Sequence, residues 1–155
     1  MANKIIFLCT GNYYRSRFAE ILFNSLISEA GLDWKADSRG LALEKGVNNS
    51  GPISKYALTA LERRGIKLTL GAERYPLQVQ EREFEEADLI IALKEAEHRR
   101  YLLERYPNWV DKVEYWDVTD RVPTAEYDPL KEIAREIKGL IQRLRVLQTS
   151  SIFET

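Results

Sequence analysis

The chain opens with a short unbroken apolar run, KIIFL at residues 4–8, rich in β-branched side chains. A run that is both short and continuous predicts a strand covered on its two faces, as in a parallel sheet. From about Arg17 the period changes, with Phe18, Leu22 and Leu26 recurring every four residues until Gly31, which predicts a helix and its stop. Residues 34–38 form a weaker candidate strand, and LALEKGVNNSGP (41–52) reads as a polar surface loop closed by Gly-Pro. Residues 54–64 read as a helix with Ala57, Ala60 and Leu61 facing inward and Gly65 at its C-terminal cap.

A second long polar segment covers residues 67–80, followed by a short helical pattern, EREFEEA. DLIIAL (88–93) is the clearest buried strand of the chain, residues 95–106 predict a helix stopped by Pro107, and residues 112–116 predict a fourth strand. In the last segment Leu130, Ile133, Ala134, Ile137, Leu140, Ile141, Leu144 and Leu147 recur at three-and-four spacing from a start at Pro129, the pattern of an amphipathic helix packed on a core. Strands that alternate with helices imply right-handed crossovers and an α/β fold, a parallel sheet with helices on both faces. Neither an internal repeat nor a linker interrupts the order, so residues 1–155 read as a single domain.

Composition agrees with this and narrows the chemistry. At 155 residues the chain is long enough for one core that buries roughly two thirds of the unfolded surface. A net charge of -1 gives no basic excess for nucleic acid, and no apolar run approaches a membrane span or a signal-peptide core. Its single cysteine excludes an internal disulfide framework, and one histidine beside one cysteine excludes the usual zinc clusters. No metal or cofactor is expected, and a reducing cytoplasm is the compartment these features suggest.

That one cysteine stands where the first strand ends, in CTGNYYRS (9–16). A cysteine beside a buried strand is commonly an inert small hydrophobe. Here, however, the loop between a strand end and a helix start turns backbone N–H groups into a concavity, and the helix N-terminus adds partial positive charge. Such a field favours an anion, and it favours thiolate over thiol: helix N-termini with a nearby cation lower cysteine pKa values from about 8.5 to roughly 3.5–7.5. Arg15 lies across the loop, with a planar fork able to hold two phosphate oxygens. Gly11 is expected to supply unusual backbone angles, Asn12 to hold the loop by local hydrogen bonds, and Ser16 to cap the helix or donate its hydroxyl to the sulfur.

This stretch resembles the signature of the low-molecular-weight protein tyrosine phosphatases: a cysteine, five residues, an arginine and then serine or threonine, here Cys9, Thr10, Gly11, Asn12, Tyr13, Tyr14, Arg15 and Ser16. Ala19-Glu20, Ser38 with Gly40, DLIIAL before a helix and the chain length extend the resemblance. It implies a three-layer sandwich, a four-stranded parallel sheet in the flavodoxin-like order 2-1-3-4. It also implies hydrolysis of a phosphomonoester on a phosphorylated protein or a small molecule. Cys9 would form a phosphocysteine, Arg15 and the loop residues 10–14 and 16 would bind the phosphate or a similar oxyanion, and an aspartate would protonate the leaving group.

The family's acid is commonly followed by proline, which matches Asp128-Pro129. Yet Asp128 also reads as the cap of the last helix with proline at its first position, and a carboxylate accepting helix N–H bonds is held ionised whereas a general acid needs its proton. Asp120, a few residues past the fourth strand, is therefore the expected acid; Asp128 and Asp117 are the alternatives. Tyr14 occupies the position of a second cysteine found in many members, so no thiol partner for Cys9 exists in the chain. The lack of further cysteines also weighs against the related thioredoxin-coupled arsenate reductases. Tyr13, where tyrosine phosphatases tend to carry an aliphatic residue and arginine phosphatases a threonine, could stack on a substrate ring or simply pack the loop. Arg17 and Arg39 read as solvated charges able to attract an acidic substrate, and His98, within EAEHRR, as exposed and without a role. The rival to an enzyme is a degenerate member that binds a phosphorylated ligand without turning it over.

Overall fold

The computed structural model describes residues 2–67 and 73–154, of which 149–154 are described as backbone only. Four strands, β1 (Asn3–Cys9), β2 (Trp34–Gly40), β3 (Leu89–Ala92) and β4 (Glu114–Tyr115), form one sheet in the order β2-β1-β3-β4. All neighbours are parallel, with Cys9 opposite Gly40, Leu8 opposite Ala92 and Ala92 opposite Tyr115. The helices are α1 (Arg15–Ala30), α2 (Lys55–Arg63), α3 (Glu81–Glu86), α4 (Glu95–Arg105) and α5 (Pro129–Glu154).

The period-2 geometry of a strand explains why KIIFL is apolar throughout. Ile5 and Phe7 point to one side, into a core with Phe18, Leu22 and Phe23 of α1, Ala57 and Leu61 of α2, and Ile133 and Ile137 of α5. Ile6 and Leu8 point to the other, against Phe84 of α3 and Leu102 of α4. Phe7 lies fully buried in the first core, with its ring 6.0 Å from Phe23 edge-on and 5.8 Å from Trp116 in a tilted arrangement. This is the expected three-layer sandwich with the expected strand order. Because β1 lies between β2 and β3, the winding reverses beside it, and the crevice for a ligand opens at the carboxyl ends of β1 and β3.

Local signals account for most element ends. Gly31 ends α1 in the left-handed conformation at φ 70°, and Gly65, at φ 74°, follows the cap of α2 while Ser54 accepts from the Tyr56 N–H at its start. β2 runs past the expected end at Ser38 to Gly40, where a Cβ would stand 2.8 Å from the Thr10 carbonyl oxygen; glycine alone lets the strand pass this close to the loop after β1. β4 is shorter than the sequence suggests. Of the polar segment 67–80, residues 68–72 lie outside the described residues.

The apolar stripe of α5 is buried from Leu130 to Leu144, but Leu147 is 63% exposed rather than part of the core. The helix simply outruns its support: its 26 residues extend about 39 Å against about 24 Å for the 16 of α1, at about 1.5 Å per residue. No helix among the described residues is long and apolar enough to cross a membrane.

Asp128 caps α5, its Oδ1 accepting from the N–H groups of Leu130 at 3.0 Å and Lys131 at 3.4 Å, with Pro129 at the first helical position. Replacing such a cap by alanine costs about 1 kcal/mol. Asp128→Ala should therefore lower the unfolding free energy in urea by about that amount, whereas Asp128→Asn, which can still accept from the same N–H groups, should lose far less.

Candidate active site

The loop between β1 and α1 is shaped by where its carbonyls go. Those of Cys9, Thr10 and Tyr13 accept from the N–H groups of Leu41, Ala42 and Ser54 at 2.9, 3.0 and 3.0 Å. In a trans peptide the next N–H points opposite to the carbonyl, so the N–H groups of Thr10, Gly11 and Tyr14 are directed to the inner side. The turn that closes the loop is made at Asn12, at φ 52°, among the described residues the one non-glycine residue with a positive φ. This corrects the expectation for Gly11, which adopts no such angle. Asparagine tolerates the conformation because its side chain can replace backbone partners.

Asn12 is wholly buried and saturated. Its amide nitrogen donates to Ser16 Oγ at 2.8 Å and Ser38 Oγ at 3.0 Å, and its oxygen accepts from Arg74 Nη1 at 3.1 Å and the Leu77 N–H at 3.0 Å. Ser38 in turn donates to Glu20 at 2.5 Å, and Arg74 reaches the same carboxylate at 3.1 Å. Burial pushes the Glu20 carboxyl above its ordinary range. Cys9 Sγ lies 2.9 Å from Ser16 Oγ. The thiol donates to that oxygen, which also accepts from Asn12 through its second lone pair; a thiolate at the same place would instead accept the Ser16 hydroxyl hydrogen.

Arg15, 2% exposed, spans the other side. Its Nη1 donates to the Val118 carbonyl at 2.9 Å and its Nη2 to Glu97 Oε2 at 2.7 Å. Burial opposes its charge, but Cys9, Glu97 and Asp120 more than offset this and raise its pKa. His98 is not exposed, as EAEHRR suggests, but fully buried. It sits in the first turn of α4, which packs on the loop: Nδ1 accepts from the Lys94 N–H at 3.0 Å, and Nε2 lies 3.2 Å from Thr10 Oγ1 and 3.1 Å from Glu97 Oε2. Burial lowers its pKa, so it serves as a neutral imidazole. Arg17 is likewise buried rather than solvated, donating to the carbonyls of Pro52 at 3.0 Å and Arg74 at 2.7 Å. Arg39 pairs with Asp37 and Glu83 at 2.8 and 2.7 Å, both in the structural frame.

A pocket of about 130 Å³ opens over this loop, with Cys9 and Arg15 at its base, Tyr13 and Tyr14 on its walls, and Asp120 at its edge. Asp120 Oδ1 lies 3.8 Å from Arg15 Nε. Asp128 is absent from the lining, and Asp117 pairs with Lys94 at 2.7 Å. Tyr14 donates its hydroxyl to the Arg121 carbonyl at 2.8 Å, next to Asp120; burial pushes this phenol up, so it stays a donor. Tyr13 donates to the Ser50 carbonyl at 2.6 Å, so it both packs its loop and walls the pocket. Sequence reasoning missed Lys45 and Asn49, which line the pocket from the loop after β2, and Glu97 and His98 behind it. Nothing in the local sequence distinguishes these from surface polar residues.

Comparison with known proteins agrees with this fold. Residues 4–149 match the family model of low molecular weight phosphotyrosine protein phosphatase. A protein-arginine-phosphatase of Bacillus subtilis is 33% identical over 109 residues, covering 70% of this chain and 67% of the relative. The low molecular weight protein-tyrosine-phosphatase YfkJ of the same organism is 29% identical over 162 residues, covering 94% and 96%. Among solved structures, a low molecular weight protein tyrosine phosphatase from T. tengcongensis superposes with a TM-score of 0.71 at 29% identity, covering 92% of this chain and 97% of that one. The chain belongs to the low molecular weight phosphotyrosine protein phosphatase family and is an enzyme of that phosphatase class.

Proposed function

We propose that the chain hydrolyses phosphotyrosine in proteins through a phosphocysteine on Cys9, with Asp120 as general acid and then general base. The observation that carries this reading is the meeting of Cys9, Arg15 and Asp120 on one pocket, with Asp120 3.8 Å from Arg15 Nε. In the first step the Cys9 thiolate attacks phosphorus, the S–P bond forms as the ester P–O bond breaks, and the Asp120 proton passes to the leaving oxygen. In the second, the Asp120 carboxylate takes a proton from water, the water oxygen bonds phosphorus and the S–P bond breaks, releasing phosphate.

Through both steps Arg15 and the inward N–H groups hold the equatorial oxygens, with Thr10, Gly11, Asn12, Tyr13, Tyr14 and Ser16 forming the cradle. Phosphoryl transfer depends chiefly on such positioning and charge stabilisation. Asp120 suits the acid role because its side chain is 61% exposed and uncommitted to a helix, whereas the Asp128 oxygen is occupied by two helix N–H groups. The Tyr14 hydroxyl holds the neighbouring Arg121 carbonyl, which steadies the acid over the pocket. For the substrate, Tyr13 and Tyr14 line the pocket, and an aromatic pair between either of them and a phenyl ring there would add roughly 0.5–1.5 kcal/mol beyond area burial.

A positioned general acid contributes about 10²–10⁴-fold, most where the leaving group is poor. Asp120→Asn should thus lower kcat/KM on phenyl phosphate by about 10²-fold and on p-nitrophenyl phosphate by under about tenfold, while Asp128→Asn keeps the wild-type leaving-group dependence. The reverse pattern would assign the acid to Asp128. In a pre-steady-state assay, wild type should release a burst of p-nitrophenol and Cys9→Ser none; wild type no faster than the variant would leave only a phosphate-binding protein. On peptides differing in one side chain, kcat/KM should favour phosphotyrosine over phosphoarginine by roughly two- to tenfold, the factor that an aromatic contact of that size supplies.

A further inference from the structure

Glu97 occupies an unexpected place for a carboxylate. Its Oε2 accepts from Arg15 Nη2 at 2.7 Å, from His98 Nε2 at 3.1 Å and from the Thr10 hydroxyl. The donor state of His98 is fixed by its other nitrogen, which accepts from the Lys94 N–H, so the ring hydrogen sits on Nε2. Three donors thus converge on one oxygen, drawn from the start of the loop, its end and the helix behind it.

Two consequences of opposite sign follow. With Nη1 held by the Val118 carbonyl and Nη2 by Glu97, the guanidinium plane cannot turn, and Arg15 is presented to the pocket in one orientation. The second effect is repulsive. A loop that only needed to bind a dianion would gain from leaving the guanidinium charge uncompensated, yet a carboxylate stands on it and opposes any oxyanion arriving on the other side.

We propose that Glu97 is a positioning residue that fixes Arg15 and Thr10 while weakening the loop's hold on the oxyanion, so that phosphate is released after each turnover. This rests on Arg15 being the phosphate ligand, as argued above. A purely structural ion pair makes the contrary prediction, since loosening the loop would lower oxyanion affinity rather than raise it.

The test is calorimetric titration of the full chain with inorganic phosphate, which requires no turnover. Glu97→Gln keeps the shape and an acceptor oxygen for the same three donors but removes the charge, so phosphate should bind about tenfold tighter than to wild type. Glu97→Ala also frees the guanidinium, and should lower kcat on p-nitrophenyl phosphate by more than Glu97→Gln does. Phosphate binding to wild type and Glu97→Gln with equal affinity, or more weakly to the variant, overturns the inference and leaves the phosphatase reading intact. Absence of phosphate binding to wild type and to Glu97→Gln alike overturns both.

Discussion

An anion cradle made of backbone must leave several N–H groups without protein partners, and a chain accepts that arrangement only if everything around them is held. In this protein the holding is done from outside, by hydrogen bonds to the carbonyls of Cys9, Thr10 and Tyr13 and by the four bonds of the buried Asn12 side chain. The left-handed turn at Asn12 costs conformational energy that persists because its surroundings over-determine it. Loss of those outer contacts would let the loop relax into ordinary turn geometry.

The sheet order serves this constraint. β1 delivers Cys9 to the crevice, β2 passes close enough at Gly40 to bind the loop carbonyls from the residues after it, and β3 leads into α4, whose first turn backs the loop with Glu97 and His98. The chain after β4 returns Val118 to Arg15 and carries Asp120 to the pocket edge. Segments distant in sequence therefore converge on eight consecutive residues, and their charges are paired: Arg15 with Glu97, and Arg74 with Glu20 and Asp37. The Glu97 carboxyl shows how tightly, because burial alone would push it up and the hydrogen bonds from His98, Arg15 and Thr10 hold it far below the ordinary range.

The pair of tyrosines in the loop acquires a structural meaning. Each uses its hydroxyl on a carbonyl of a different flanking loop, Ser50 for Tyr13 and Arg121 for Tyr14, so that the walls of the pocket are tied to its floor. Tyr14 additionally packs edge-on against Tyr56 at 6.4 Å. The position where a second thiol would offer redox chemistry is thus given to mechanical bracing of the segment beside Asp120.

By itself the sequence determined the alternation of strands and helices, the two-sided burial of KIIFL and DLIIAL, the capped start of α5 and the loop signature from Cys9 to Ser16. These are local properties: side-chain period, turn residues and capping chemistry act over a few residues and can be read in order along the chain. Tertiary structure decided what the polar residues do. His98 and Arg17 lie in charged stretches whose composition predicts solvent, and both are buried because loops distant in sequence close over them. Asn12 rather than Gly11 takes the strained turn because Ser38, Arg74 and Leu77 arrive to satisfy its side chain. A hydrogen bond to a partner 26 or 62 residues away leaves no periodicity in the sequence, so the partners of the polar network become visible only once the chain is folded.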